Sequence, residues 1–145
     1  MSNNRDVITS KLMVPARKSF LVELREARRA TNDTAIANLN TWTVATKGRP
    51  VCLSIVWLQG IIVQNSSDKS FLLDDGTAVA RILKPASFPG ASVKTTPGTY
   101  VMVVGELIES GIVPTVRVMK MQDLSHDAMA EAFWSLEVID LHQRT

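Results

Sequence analysis

The chain has 145 residues, enough for one domain with a single well-filled core but not for two. Its hydrophobic fraction of 46% and charged fraction of 21% are those of an ordinary folded globule, which excludes a disordered or fibrous class. With 16 Lys and Arg against 14 Asp and Glu, the net charge of +2 is too mild to mark a polyanion partner.

Residues 1–14 read as a flexible tail ahead of one domain over 15–145. Met1 to Asp6 lacks the apolar core of a signal peptide, and no apolar run approaches the roughly twenty residues that cross a bilayer. An intracellular, reducing compartment is expected. Residues 19–29 predict a short helix capped by Ser19, with Phe20, Leu21 and Leu24 on one side and Arg25, Arg28 and Arg29 on the other. Residues 30–39 read as loop, and 41–44 as a short edge strand before a turn at Lys47-Gly48-Arg49-Pro50.

From Val51 the pattern is β. Residues 51–64 form one long strand, apolar on both faces and bent or bulged at Gly60. Its Cys52, the chain's one cysteine, allows no intramolecular disulfide and no cysteine cluster for zinc, and is expected as a small buried thiol. Residues 71–82 predict a hairpin turning at Asp75-Gly76. A connecting loop over 84–96 follows, then strands over 100–107 and 115–121 joined around Ser110-Gly111. In the last strand Val116 and Val118 share one face while Met119 and Met121 lie on the other. A bulge near Val118-Met119 would return all four to the core. A bent first strand shared by two half-sheets, five main strands and a closing helix indicate a mainly β domain: the five-stranded Greek-key barrel called the OB-fold, with a short N-terminal helix and a long C-terminal one.

The closing helix is expected over about 126–143, capped by Ser125 and with Asp127 in its first turn. At roughly 100° per residue, Met129, Phe133 and Leu136 form one stripe and Ala130, Trp134, Val138 and Leu141 a second, well apart from it. Glu131, Ser135 and His142 mark the wet sector. One stripe can plug the chain's own barrel. The other needs a second surface, from a partner or from an N-terminal segment carrying Phe20 and Leu24.

Catalytic chemistry finds little footing. His126 and His142 lack converging carboxylates at metal-ligand spacing, Asp74-Asp75 before Gly76 is turn chemistry, and the seven glycines are scattered singly rather than gathered in a phosphate loop. The reading is therefore of a protein that is not an enzyme and holds no cofactor or metal. Direct DNA binding is disfavoured too. The hairpin offers Phe71 alone as a stacking platform, Tyr100 and Trp57 sit in apolar strands as core, and Arg25, Arg28 and Arg29 fit a solvated helix face. A stand-alone single-stranded-DNA-binding OB module remains the alternative.

Several blocks carry a more specific likeness. Val56-Trp57-Leu58-Gln59-Gly60, Leu72-Leu73-Asp74-Asp75-Gly76, Pro97-Gly98-Thr99-Tyr100-Val101-Met102-Val103-Val104-Gly105 and Lys120-Met121-Gln122-Asp123-Leu124-Ser125 are four of them. With Trp134-Ser135-Leu136-Glu137-Val138-Ile139-Asp140-Leu141-His142, they resemble the RecQ-mediated genome instability protein 2 family. The likeness runs from about Arg49 to Gln143; residues 1–48 match loosely, 84–96 has no counterpart, and 106–114 departs from the pattern.

The resemblance implies a nuclear, non-catalytic OB-fold subunit that pairs with the OB domain of a larger sister, the RecQ-mediated genome instability protein 1 type. Through it the subunit would join a Bloom-type RecQ helicase and a topoisomerase III that dissolve double Holliday junctions. It also implies that the end of the last strand and the closing helix help receive a peptide from a Fanconi-anaemia-type translocase, at positions matching Lys120 and Trp134. The expected partner-binding set is Lys120, Met129, Phe133, Trp134, Leu136, Val138 and Leu141.

Overall fold

The apolar stretch after Pro50 folds as two strands rather than one. In a computed structural model describing residues 16–30, 40–46 and 48–144, it breaks at Ser54. Four elements precede this stretch: β1 (Arg17–Lys18), α1 (Leu21–Arg25), β2 (Arg28–Arg29) and β3 (Trp42–Thr46). Then come β4 (Arg49–Leu53), β5 (Ile55–Ser67), β6 (Ser70–Asp74), β7 (Val79–Leu83), β8 (Tyr100–Glu109), β9 (Thr115–Asp123) and α2 (Ala130–Arg144).

Strand β5 organises the sheet. Its residues 55–61 pair with β8, and from Ile61 onward it pairs with β6, so one strand serves two half-sheets. Gly60 stands at that hand-over. A Cβ there would lie 2.5 Å from the backbone oxygen of Asp74, so the close approach admits glycine only. The strand order is β1-β5-β6-β7-β9-β8, and β8 pairs back onto β5 to close the ring. The β7–β9 pairing is parallel, which the long connection between β7 and β8 makes possible. A smaller sheet, β2-β3-β4, sits beside it.

Inward-facing side chains fill the barrel: Phe71, Leu58, Ile62, Leu73, Ile82 and Leu107 are all fully buried. Trp42 joins this core, its Nε1 donating to the Leu107 carbonyl at 2.9 Å. A satellite cluster of Ile55 and Met119, packed by Ala16 and Val104, lies separately.

Several expectations are corrected by this arrangement. The N-terminal helix is short, and Arg28 and Arg29 leave it to pair with β3. Ser19 is no cap: its N–H donates to the Trp57 carbonyl, and Glu23 Oε1 instead accepts the Phe20 N–H at 2.8 Å. The strand at Trp42 is central in its sheet, between β2 and β4, because Arg49 and Pro50 extend the next strand instead of turning. Lys47 and residues 31–39, part of the expected loop, lie outside the described residues. Cys52 is exposed, because its register partner Thr43 and it face outward while Leu53 turns in beside Trp42. The expected bulge in β9 exists, opposite Val104 and Gly105, but it returns only Val116, Val118 and Met121 to the main core. Met119 is pushed into the satellite cluster instead.

The hairpin turn follows expectation. Asp74 Oδ1 accepts the Gly76 N–H at 2.8 Å, and Asp75 Oδ1 accepts the N–H groups of Thr77 and Ala78. Asp74 Oδ1 and Asp75 Oδ1 are thus both used within the turn. In the β7–β8 connection, Gly90 has φ 95° and presses on the backbone oxygen of Met121, and the Met121 N–H donates to the Pro89 carbonyl at 3.0 Å. This loop is thereby pinned against β9.

Candidate partner-docking surface

The closing helix starts at Ala130, four positions beyond the expected beginning, because the residues before it form turns. Ser125 Oγ accepts the Tyr100 N–H, and Asp127 Oδ1 accepts the Met129 N–H at 3.1 Å, so Asp127 opens the helix in place of Ser125. Glu131 in the first turn complements the helix dipole, and Ala, Glu and Leu supply the propensity.

Its two stripes have different fates. The helix lies against β1 and β5. Trp134 is 2% exposed and Val138 is fully buried, with Ala130 and Leu141 half-buried on the same side. Among the expected contact residues, Trp134 and Val138 are thus covered by their own chain. The far side presents Met129, Phe133, Leu136 and Ile139, each between 45% and 61% exposed. Ile139 was absent from the expected set, although its spacing three residues after Leu136 places it beside that stripe. Lys120 is exposed on β9, in register with Val104 of β8.

Alongside the helix run two shallow grooves with Trp57 in common. One, about 240 Å³, is lined by Trp57, Gln59, Met102, Gln122, Met129 and Phe133. The other, about 310 Å³, is lined by Ala16, Lys18, Trp57, Glu137, Asp140 and Leu141. Trp57 is therefore no core residue. It is half-buried on the outer face of β5, with Lys18 Nζ 4.9 Å from its ring centroid and a Lys18–Glu137 pair at 3.9 Å beside it. Its indole N–H, like that of Trp134, is buried without a hydrogen-bond partner among the described residues. Such a donor costs about 1–3 kcal/mol until an acceptor reaches it.

Tyr100 also faces outward rather than into the core. Its hydroxyl donates to Gln59 Oε1 at 3.1 Å. Burial, followed by the charges of Glu131, Asp75 and Glu137, pushes its phenol up to about 12. At the other helix end His142, expected in the wet sector, is instead largely covered by α1. Asp123, by contrast, is held below the usual carboxylate range by hydrogen bonds from Ser125, which stabilises the turn into the helix. Among the described residues no three His, Cys, Asp or Glu side chains gather as metal ligands, and no helix is long and apolar enough to cross a membrane.

This architecture, a closed β-ring with a helix laid on its outer face, recurs in solved structures at 14% identity, which shows the fold alone. A chain of a replication protein A heterotrimer bound to single-stranded DNA aligns over 90% of this chain and 97% of its own, with a TM-score of 0.63. A chain of the S. pombe Stn1–Ten1 complex aligns over 90% and 93%, with a TM-score of 0.64. The fold is therefore of the OB class. A family model described as RecQ-mediated genome instability protein 2 matches residues 15–142. The Gallus gallus protein of that name is 32% identical over 134 residues, 89% of this chain and 93% of the relative. The Bos taurus protein is 37% identical over 95 residues, 65% of this chain and 59% of the relative. The chain belongs to the RecQ-mediated genome instability protein 2 family.

Proposed function

We propose that this chain is a non-catalytic scaffold subunit acting in genome stability. Its closing helix docks on the OB domain of a larger sister subunit, and through that sister it joins a Bloom-type RecQ helicase and a topoisomerase III. The assembly dissolves double Holliday junctions in the nucleus and limits crossover. The observation that carries this reading is the stripe of Met129, Phe133, Leu136 and Ile139, left in solvent while the opposite helix face is packed. A contiguous apolar stripe on a helix is an interface rather than a resting surface. Trp57 beside it lines both grooves and adds aromatic surface to the same patch. Lys120 on the same outer side is proposed to contribute to a site for a translocase peptide, with Trp134 supporting the helix from beneath.

Co-expression supplies the test. The chain made alone should self-associate, and co-expression with an OB-containing sister should convert it to a heterodimer. A stable monomer that binds oligonucleotides with a steep salt dependence would overturn the scaffold reading in favour of a stand-alone single-strand-binding module.

A further inference from the structure

A second surface lies on strands β6, β7 and β9. Along them Phe71, Leu73, Ala80, Ile82, Val116 and Val118 are buried, so the alternate positions face outward. Register sets those outward residues in two rows: Leu72 beside Arg81 beside Thr115, and Ser70 beside Leu83 beside Arg117. Strands stand about 4.8 Å apart and two residues span roughly 7 Å, so each guanidinium has an aliphatic neighbour within reach. Leu72 and Leu83 are only half-buried, and Arg81 and Arg117 are exposed.

The two rows themselves carry two cations, Arg81 and Arg117, and no acid. Lys84 follows Leu83, and its N–H donates to the Lys69 carbonyl at 2.7 Å, which brings Lys69 to the same end, while the Lys84 ammonium donates to Thr95 Oγ1 at 3.3 Å. The acids nearby are Asp68 in the β5–β6 turn, Asp74, which accepts the Gly76 N–H, and Glu109, in register with Thr115. Glu106 lies opposite Arg117 in the ladder, but it is buried and accepts the Asn40 N–H. Arg81 and Arg117 make no ion pair among the described residues.

Two polyanions could answer such a face, and the side chains between the cations decide. Single-stranded nucleic acid needs aromatic rings on which bases stack. Phe71, the aromatic residue of this hairpin, is fully buried in the barrel. Leucines alternating with arginines suit a different ligand: carboxylates that accept two parallel hydrogen bonds from each guanidinium fork, and aliphatic side chains for Leu72 and Leu83. We propose that the outer face of β6, β7 and β9 binds an acidic peptide segment of a partner protein, its carboxylates spaced by aliphatic side chains. This surface is distinct from the helix stripe and does not depend on how that stripe is used.

The probe is a displayed library of random dodecapeptides selected on the full chain, with an Arg81→Glu/Arg117→Glu variant as the counter-target and an oligothymidylate of about fifteen nucleotides titrated in parallel. Both substituted positions are exposed, and unchanged circular dichroism confirms that the variant folds. The expected result is an enriched acidic and aliphatic consensus whose affinity falls roughly tenfold or more on the variant. Peptides that bind both proteins equally, including any attracted by the helix stripe, overturn the proposal. Failure to enrich an acidic consensus also overturns it, as does oligothymidylate binding that the double substitution abolishes in the absence of such a consensus.

Discussion

The imidazole Nε2 of His142, near the end of the closing helix, lies 3.4 Å from the carboxylate of Glu23 on the N-terminal helix. The Phe20 ring stands edge-on to that imidazole at 6.5 Å. The hairpin turn holds the N-terminus of the same short helix: Leu21 N–H donates to Asp75 Oδ2 at 2.7 Å, and Val22 N–H to Thr77 Oγ1 at 3.1 Å. Helix α1 thus joins the hairpin turn to the C-terminal end of the closing helix.

That junction carries a pH signature. Burial pushes the Glu23 carboxyl above its usual 4.5, outweighing the Phe20 N–H and the charges of His142 and Arg17, which act to lower it. Between 4.5 and the raised value the folded chain holds more protons than the unfolded one. Stability is therefore gained as pH falls through that window and lost as pH rises through it. Urea unfolding across the window should show this slope in the wild type and a flatter profile in Glu23→Gln. Identical slopes would mean that Glu23 is not the group responsible.

Tyr100 offers a cleaner reading, because the chain has a single tyrosine. A rapid alkaline pH jump followed by phenolate absorbance should give a midpoint near 12 in the folded state, against 10 after unfolding in denaturant. The raised value means that stability is lost as pH climbs from 10 toward 12. A folded midpoint at 10 would show that burial and the carboxylates of Glu131, Asp75 and Glu137 do not act on the phenol.

Two neighbouring aromatic residues on the closing helix should behave in opposite ways. Trp134→Ala empties a buried site and should cost about 3–5 kcal/mol of stability, seen as a large drop in the denaturation midpoint. Phe133→Asp alters an exposed position and should change stability by about 0.5 kcal/mol or less, while abolishing co-purification with the OB-containing sister. Retained co-purification would remove Phe133 from the interface.

Gly90 tests the pinned connection. Alanine there meets both a left-handed backbone and the Met121 oxygen. Gly90→Ala should cost about 1–3 kcal/mol for the backbone alone, and the amide of Met121 should lose hydrogen-exchange protection as the loop lifts from β9. Full protection in the variant would show that the loop adjusts without leaving the strand.

Much of this was legible in the sequence, where local rules and tertiary demands agree. Asp74-Asp75-Gly76 gives a turn because its side chains bond their own backbone, and period-two alternation marks Phe71 and Leu73 as inward. Two apolar stripes at helical spacing separate as packed and exposed faces. What was hidden depends on distant partners. Trp57 reads as core from its apolar neighbours, yet it faces outward because the parallel pairing with Lys18 sets its side. Arg25 and Arg29 read as a solvated basic face, but they buttress the end of β8 and the loop after it, donating to the carbonyls of Ile112 and Ile108. Cys52 reads as buried until the break at Ser54 separates its strand from β5. No periodicity reports such register choices, since they are made across the sheet.

The double duty of β5 has a consequence during synthesis. Its hairpin partners β6 and β7 follow at once, but β8, which covers Ile55 to Ile61, emerges only after the long connection. At roughly 5–20 residues per second, the nascent chain carries an open apolar strand edge for seconds. A chain interrupted before Tyr100 keeps that edge for good, and such an edge is a template for pairing with any other extended strand. Truncations in this interval should be cleared or aggregate rather than persist as a half-barrel.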